Sequence, residues 1–170
     1  DRIKKIVSDL KTYSRMDRAE ILETNINESI TVTLDLLTHE FKGRITIVTE
    51  YADIPLIRCY SSQLNQVFMN ILINACHAIE GKGEIKIKTS IENEMLHIDI
   101  SDTGTGIPLE IREKLFDPFF TTKPIGEGTG LGLSVSLGII KKHNGDIVVE
   151  SIQGKGTTFT IKLPLTPGLV

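Results

Sequence analysis

A chain of 170 residues, 40% hydrophobic and 24% charged, carries enough apolar material for one full core, or one core with an appendage. A net charge of -3 without a long Lys/Arg run excludes a general attraction for nucleic acid, and no apolar stretch approaches the roughly 20 residues of a membrane-spanning helix, so no membrane contact is expected. Cys59 and Cys76 lie in hydrophobic stretches without CxxC spacing, and His39, His77, His97 and His143 are scattered singly, which predicts buried thiols in a reducing, cytoplasmic setting and no His/Cys metal site.

The chain opens on DRIKKIVSDLKTYSRMD, where Ile3, Ile6, Leu10 and Tyr13 alternate spacings of three and four. That seam predicts a stem helix packing on a partner, and a chain that starts within a longer protein. An amphipathic helix on the surface of the same domain is the other reading. Residues 20–27 change character, so a boundary is placed there, with 1–20 as stem and 21–170 as the main domain. ILETNIN predicts a short strand, and Asn27 a cap for a helix carrying Ile30, Leu34 and Leu37.

RITIVTEY alternates as a half-buried strand, and a long helix is expected from Ser61 to Ile79. EIKIKTSI and LHIDIS flank ENEM as an antiparallel hairpin. A short helix near 108–115 and another over 130–142 follow, and then GDIVVESI and TTFTIKLPL form a second hairpin. Hairpins alternating with helices predict an α+β fold, a two-layer sandwich whose mixed, mainly antiparallel sheet has helices on one face.

Three stretches carry chemistry. On the 61–79 helix, Gln63, Gln66, Asn70, Asn74 and His77 fall within roughly 40° of one line at about 100° per residue, on an otherwise apolar surface. Buried amides need partners, either a polar ligand or loop backbone. In IDISDTGTGIP, Asp102 ends an alternating strand and is followed by Gly104 and Gly106. A carboxylate fixed there accepts hydrogen bonds from an amino group and rejects a carbonyl, which is adenine-like discrimination, although an Asx turn produces the same residues. Gly126, Gly128, Gly130 and Gly132 form a ladder leading into a helix, which fits either an anion site or a flexible linker. The spacing is neither a Walker loop nor GxGxxG.

Taken together, NILINACHAI, DTGTGIP, FDPFFTTK, GEGTGLGL and GKGTTF resemble, in order and spacing, the boxes of the catalytic ATP-binding domain of bacterial sensor histidine kinases. Their superfamily also includes gyrase and a heat-shock chaperone. The resemblance spans about residues 25–164 and implies the Bergerat-type ATP-binding fold. It makes the stem similar to the end of a dimerisation and histidine-phosphotransfer hairpin, and implies a homodimer in the full-length protein.

The resemblance also implies roles. Asn74 would coordinate magnesium, and Asn70 and His77, the latter where many relatives have Lys, would face the phosphates. Asp102 would bind the adenine amino group, with Gly104 and Gly106 giving clearance and Thr157 contributing through water. Lys123 and the amides around Gly128, Thr129, Gly130, Leu131 and Gly132 would neutralise phosphate charge. Asn70, Asn74 and Lys123 are the catalytic candidates. Residues 116–130 would form an ATP lid with Phe116, Phe119 and Phe120 as its anchor. Superfamily members that activate water typically carry Glu where Asn70 stands. An amide takes no proton, which favours transfer to a histidine over hydrolysis. The acceptor would lie outside this chain, since His39, in a helix-to-strand connection, fits poorly. ATP, magnesium and the receiver domain of a response regulator are the implied partners. An ATPase clamp and a non-catalytic binding module are the alternatives.

Overall fold

The structure, a computed structural model, describes residues 20–124 and 128–169. The predicted stem helix and Gly126 fall outside them. Among the described residues, twelve elements follow in order: β1 (Ile21–Thr24), α1 (Ile26–Leu36), α2 (Thr38–Phe41), β2 (Ile45–Glu50), β3 (Ile57–Tyr60), α3 (Ser61–Ala78), β4 (Gly83–Glu92), β5 (Met95–Asp102), α4 (Leu109–Arg112), α5 (Gly132–Lys142), β6 (Asp146–Ile152) and β7 (Gly156–Pro164).

Strands β2-β4-β5-β7-β6 form one five-stranded sheet, and β1 and β3 pair separately. Three of the four ladders in the large sheet are antiparallel, two of them hairpins. Strand β2 runs parallel to β4 because the chain between them crosses over through α3. The strict alternation of β5 turns Leu96, Ile98 and Ile100 inward, and the same alternation on β7 turns Phe159, Ile161 and Leu163 inward. Against this face lie the apolar sides of α1, α3 and α5, contributing Ile26, Ile30, Phe68, Ile71, Leu72, Ile139 and Ile140 to one continuous core. Cys59 and Cys76 are buried free thiols, and burial pushes the Cys76 thiol up to about 11.

Three local expectations are corrected. The cap of α1 is Asn25, whose Oδ1 accepts from the Glu28 amide at 3.2 Å. Asn27 instead lies inside the helix and ties it to the sheet, donating to the Ala52 carbonyl at 2.9 Å and accepting from the Thr89 hydroxyl at 3.1 Å. Strand β3 was not expected; it closes the small sheet by pairing Ile21 with Tyr60. The phenylalanine cluster divides. Phe116 packs against the core, but Phe119 is 58% exposed with φ of 68°, so it does not anchor the segment.

His143, at the end of α5, is fully buried. Its Nε2 accepts from the Tyr60 amide at 3.1 Å, and its Nδ1 donates to the Ile139 carbonyl at 2.8 Å, so both ring nitrogens are used in one neutral tautomer. Burial holds its pKa below the ordinary histidine range. Because the folded form resists protonation, His143 contributes fully above about pH 6.5, and its contribution is lost as pH falls from there through the lowered folded value. The wild-type unfolding midpoint should therefore drop more between pH 7.5 and 5.5 than that of His143→Gln; equal drops would contradict this assignment.

Candidate nucleotide site

The alternation that builds the core also builds a cavity. One step beyond Leu96, Ile98 and Ile100 on the inward row of β5, the sequence places Asp102, a carboxylate only 7% exposed. Its neighbours across the ladders are Ile85 and Thr157. Opposite it runs the amide stripe of α3, and between them lies a cavity of about 600 Å³. Of the predicted site residues, Asn70, Asn74, His77, Asp102, Gly106, Lys123, Gly128, Thr129, Gly130, Leu131, Gly132 and Thr157 all line it. Gly104 does not.

The glycines after Asp102 act differently from expectation. A Cβ on Gly104 would stand 2.5 Å from the Ala78 carbonyl oxygen, and one on Gly106 2.2 Å from that of Ile152. Their bareness lets the loop wedge between the end of α3 and the β6–β7 turn. This close chain packing fixes the carboxylate's surroundings, and the clearance they provide is for backbone first. Asp102 itself accepts from the Gly104 amide at 2.8 Å. Burial raises its pKa, while the amides of Gly104 and Thr157 pull the other way.

At the other end of the cavity stands the N-terminus of α5, an 11-residue helix without an acidic residue in its first turn. Such an end offers unpaired amides and the positive pole of the helix dipole. Thr129 shapes the approach by accepting from the Leu131 amide at 3.4 Å. Asn70 ties α3 to this end, with Nδ2 donating to the Gly132 carbonyl at 3.1 Å and to Ser136 Oγ at 3.2 Å. Lys123 meets His77 across the mouth, Nζ to Nδ1, at 2.7 Å; the neutral ring nitrogen accepts and the ammonium donates. These two predicted residues thus form one basic pair.

The cavity's two ends differ. Besides the Asp102 carboxylate, the lining has an apolar part, including Ile107, Ile111, Leu115 and Phe159, and a polar part of amides, glycine backbone and Lys123. A flat heterocycle with an exocyclic amino group fits the first, and an anion the second. Sequence reasoning missed Gln153, an exposed residue of the β6–β7 turn that reaches the rim. No local signal marks it, since the fold alone brings that turn to the site.

A family model for histidine kinase-, DNA gyrase B-, and HSP90-like ATPases matches residues 59–167. The chain belongs to this ATPase family. Within the family, it is 40% identical over 170 residues to the signal transduction histidine-protein kinase AtoS of Escherichia coli K12, covering 98% of this chain and 28% of AtoS. The catalytic domain of histidine kinase ThkA, in a nucleotide-free form, superposes with a TM-score of 0.79 at 34% identity, covering 88% of this chain and 98% of that one. ThkA in complex with the response regulator protein TrrA superposes at 0.81 with 30% identity, covering 98% and 48%. The family's ATP-binding fold is thus present, a two-layer arrangement as the sequence indicates. The chain spans about a quarter of AtoS. No helix among the described residues is long and apolar enough to cross a membrane.

Proposed function

We propose that this chain is the ATP-binding catalytic domain of a sensor histidine kinase. It holds ATP with adenine at Asp102 and phosphates at the α5 N-terminus, and passes the γ-phosphoryl group to a histidine outside these residues, then to a response-regulator aspartate. The observation that carries the reading is the buried Asp102 carboxylate at one end of a cavity whose other end is built from amides and helix dipole. Phosphoryl transfer asks a protein for little covalent chemistry and for much positioning and charge stabilisation. Lys123 and the amides around Gly128, Thr129, Gly130, Leu131 and Gly132 supply positive potential where the β- and γ-phosphates would lie.

Magnesium fits the donors. Asn74 offers a hard amide oxygen on the stripe facing the cavity, and phosphate oxygens supply the ligands a carboxylate cage would otherwise provide. Among the described residues there is no cluster of three His, Cys, Asp or Glu to hold a metal, consistent with a cation that arrives on the nucleotide. When bound, it would neutralise the phosphate oxygens. Asn70 lacks a proton-accepting group, so activation of water is disfavoured, while a histidine acceptor is largely a neutral nucleophile at pH 7. Among the histidines, His143 is sealed in the core and His39 pairs with Glu40 at 3.2 Å on an outlying short helix.

We place residues 1–20 as the end of a dimerisation and phosphotransfer helix, and 21–170 as the ATP-binding domain. The receiver domain of a response regulator, the protein's own hairpin and a second copy of the chain are then its partners in a cytoplasmic setting. The test is incubation of the chain with γ-labelled ATP and a separately produced phosphotransfer hairpin of a sensor histidine kinase such as AtoS. Label that is acid-labile and base-stable should appear on the hairpin and not on the chain. Rapid phosphate release without acceptor would instead indicate an ATPase clamp.

A further inference from the structure

A planar amide can be turned over with little change in shape, so what faces a ligand depends on what the amide is bonded to behind. Behind Asn70 are two oxygens of α5. The Gly132 carbonyl can only accept. Ser136, fully buried on the next turn, directs its hydroxyl proton to that same Gly132 carbonyl at 2.8 Å, leaving only lone pairs toward Asn70. Both groups therefore demand a donor, and Nδ2 meets them at 3.1 Å and 3.2 Å. The reversed amide would set its oxygen against two acceptors. With the nitrogen committed to α5, Oδ1 is turned to the cavity that Asn70 lines, one helical turn from Asn74.

We propose that Ser136 is a positioning residue for the nucleotide site: its buried hydroxyl, together with the Gly132 carbonyl, locks the Asn70 amide with its oxygen toward the cavity, as a hard donor for the cation carried by the nucleotide. The inference rests on the reading of the cavity as a site for magnesium-bound nucleotide. Ser136 touches neither nucleotide nor cation and acts only through Asn70.

The experiment is calorimetric titration with ADP, in saturating magnesium and in EDTA, for wild type, Ser136→Ala and Ser136→Thr. The quantity read is the gain in affinity that magnesium confers. In Ser136→Ala the gain should shrink about three- to tenfold, the worth of one hydrogen bond, while affinity in EDTA stays within about twofold. Ser136→Thr, which keeps a hydroxyl able to bond back to Gly132, should restore the gain. An unchanged gain in Ser136→Ala, or equal losses in magnesium and EDTA, would reduce Ser136 to a packing residue and overturn the proposal. Should Ser136→Ala not fold, a Ser136→Thr protein whose gain falls as far as that of Asn70→Ala would overturn it equally. Absence of ADP binding to the wild type in both conditions would overturn the nucleotide reading itself, a result separable from failure of the Ser136 step.

Discussion

Asp102→Asn should abolish most nucleotide affinity and at the same time make the empty domain more stable. The carboxylate is 7% exposed, among the described residues it has no cationic neighbour in contact, only the Gly104 and Thr157 amides, and burial raises its pKa. Its sign is that of a group destabilising the fold at neutral pH: the folded chain prefers the protonated form, so stability is highest below the ordinary aspartate range and falls as pH rises through the raised folded value. Asparagine keeps an oxygen for the Gly104 amide and removes the charge. The expected gain is on the order of 1 kcal/mol, or about 2–4 °C in the unfolding midpoint of a domain this size. Toward adenine the change is opposite in sign. One acceptor becomes a donor facing the exocyclic amino group, and the lost charged hydrogen bond plus the new conflict should weaken ADP binding about 100-fold or more. Calorimetric titration beside thermal unfolding separates the two effects. A mutant both weaker in binding and less stable would show that Asp102 is mainly a structural group.

Gly130→Ala should cost about 2–4 kcal/mol, whereas Gly132→Ala should change stability by less than about 0.5 kcal/mol. The two glycines stand in the same ladder for different reasons. Gly130 has φ of 70° and its carbonyl accepts from the Phe119 amide at 2.9 Å, closing the loop between them. A methyl there would meet the Phe119 carbonyl carbon at 2.3 Å, and backbone cannot step aside as a flexible side-chain end can. Phe119 is itself held at positive φ, so the closure already carries backbone strain on the Phe119 side, while Gly130 adopts its own φ without steric cost; a methyl at Gly130 would add a second strained position. Gly132, by contrast, begins α5, and its nearest neighbour would be the Asn70 side chain at 3.7 Å, an ordinary contact. Chemical denaturation of the two variants measures the difference. Equal costs would mean the closure at Gly130 contributes nothing to the fold.

Most of the sheet could be read from period alone. LHIDISD places four inward residues in one row, and the last of them, Asp102, lands in the cavity by the same alternation that buries Ile98 and Ile100. Where the pattern was short it failed. IRCY is four residues with a charged one inside, and only its pairing with β1 makes it a strand. The cap of α1 was displaced by two residues because both positions are Asn. Ile26, buried at 0% and in step with Ile30 and Leu34, is the residue that moves the helix start back to Asn25. Exposure of Phe119 follows from a backbone closure with Gly130, eleven positions away, which composition cannot show. At the site, most residue types and their order were legible, since Gln66, Asn70, Asn74, Asp102, Gly106, Gly128, Gly130 and Gly132 lie on the cavity, while Gln63, first of the predicted amide stripe, and Gly104 do not. Which glycines serve the chain and which the ligand was not, because Gly104 is distinguished from Gly132 only by what lies 2.5 Å or 3.7 Å from a missing methyl.

The central claim, that Asp102 reads the amino group of an adenine nucleotide in this cavity, is tested most directly by titrating the wild-type chain in magnesium with ADP and with inosine diphosphate, which differs by carrying a carbonyl where adenine has its amino group. A carboxylate acceptor should favour ADP by at least about tenfold, the cost of setting two acceptors against each other. Equal affinities for the two, or binding of neither, would contradict the account.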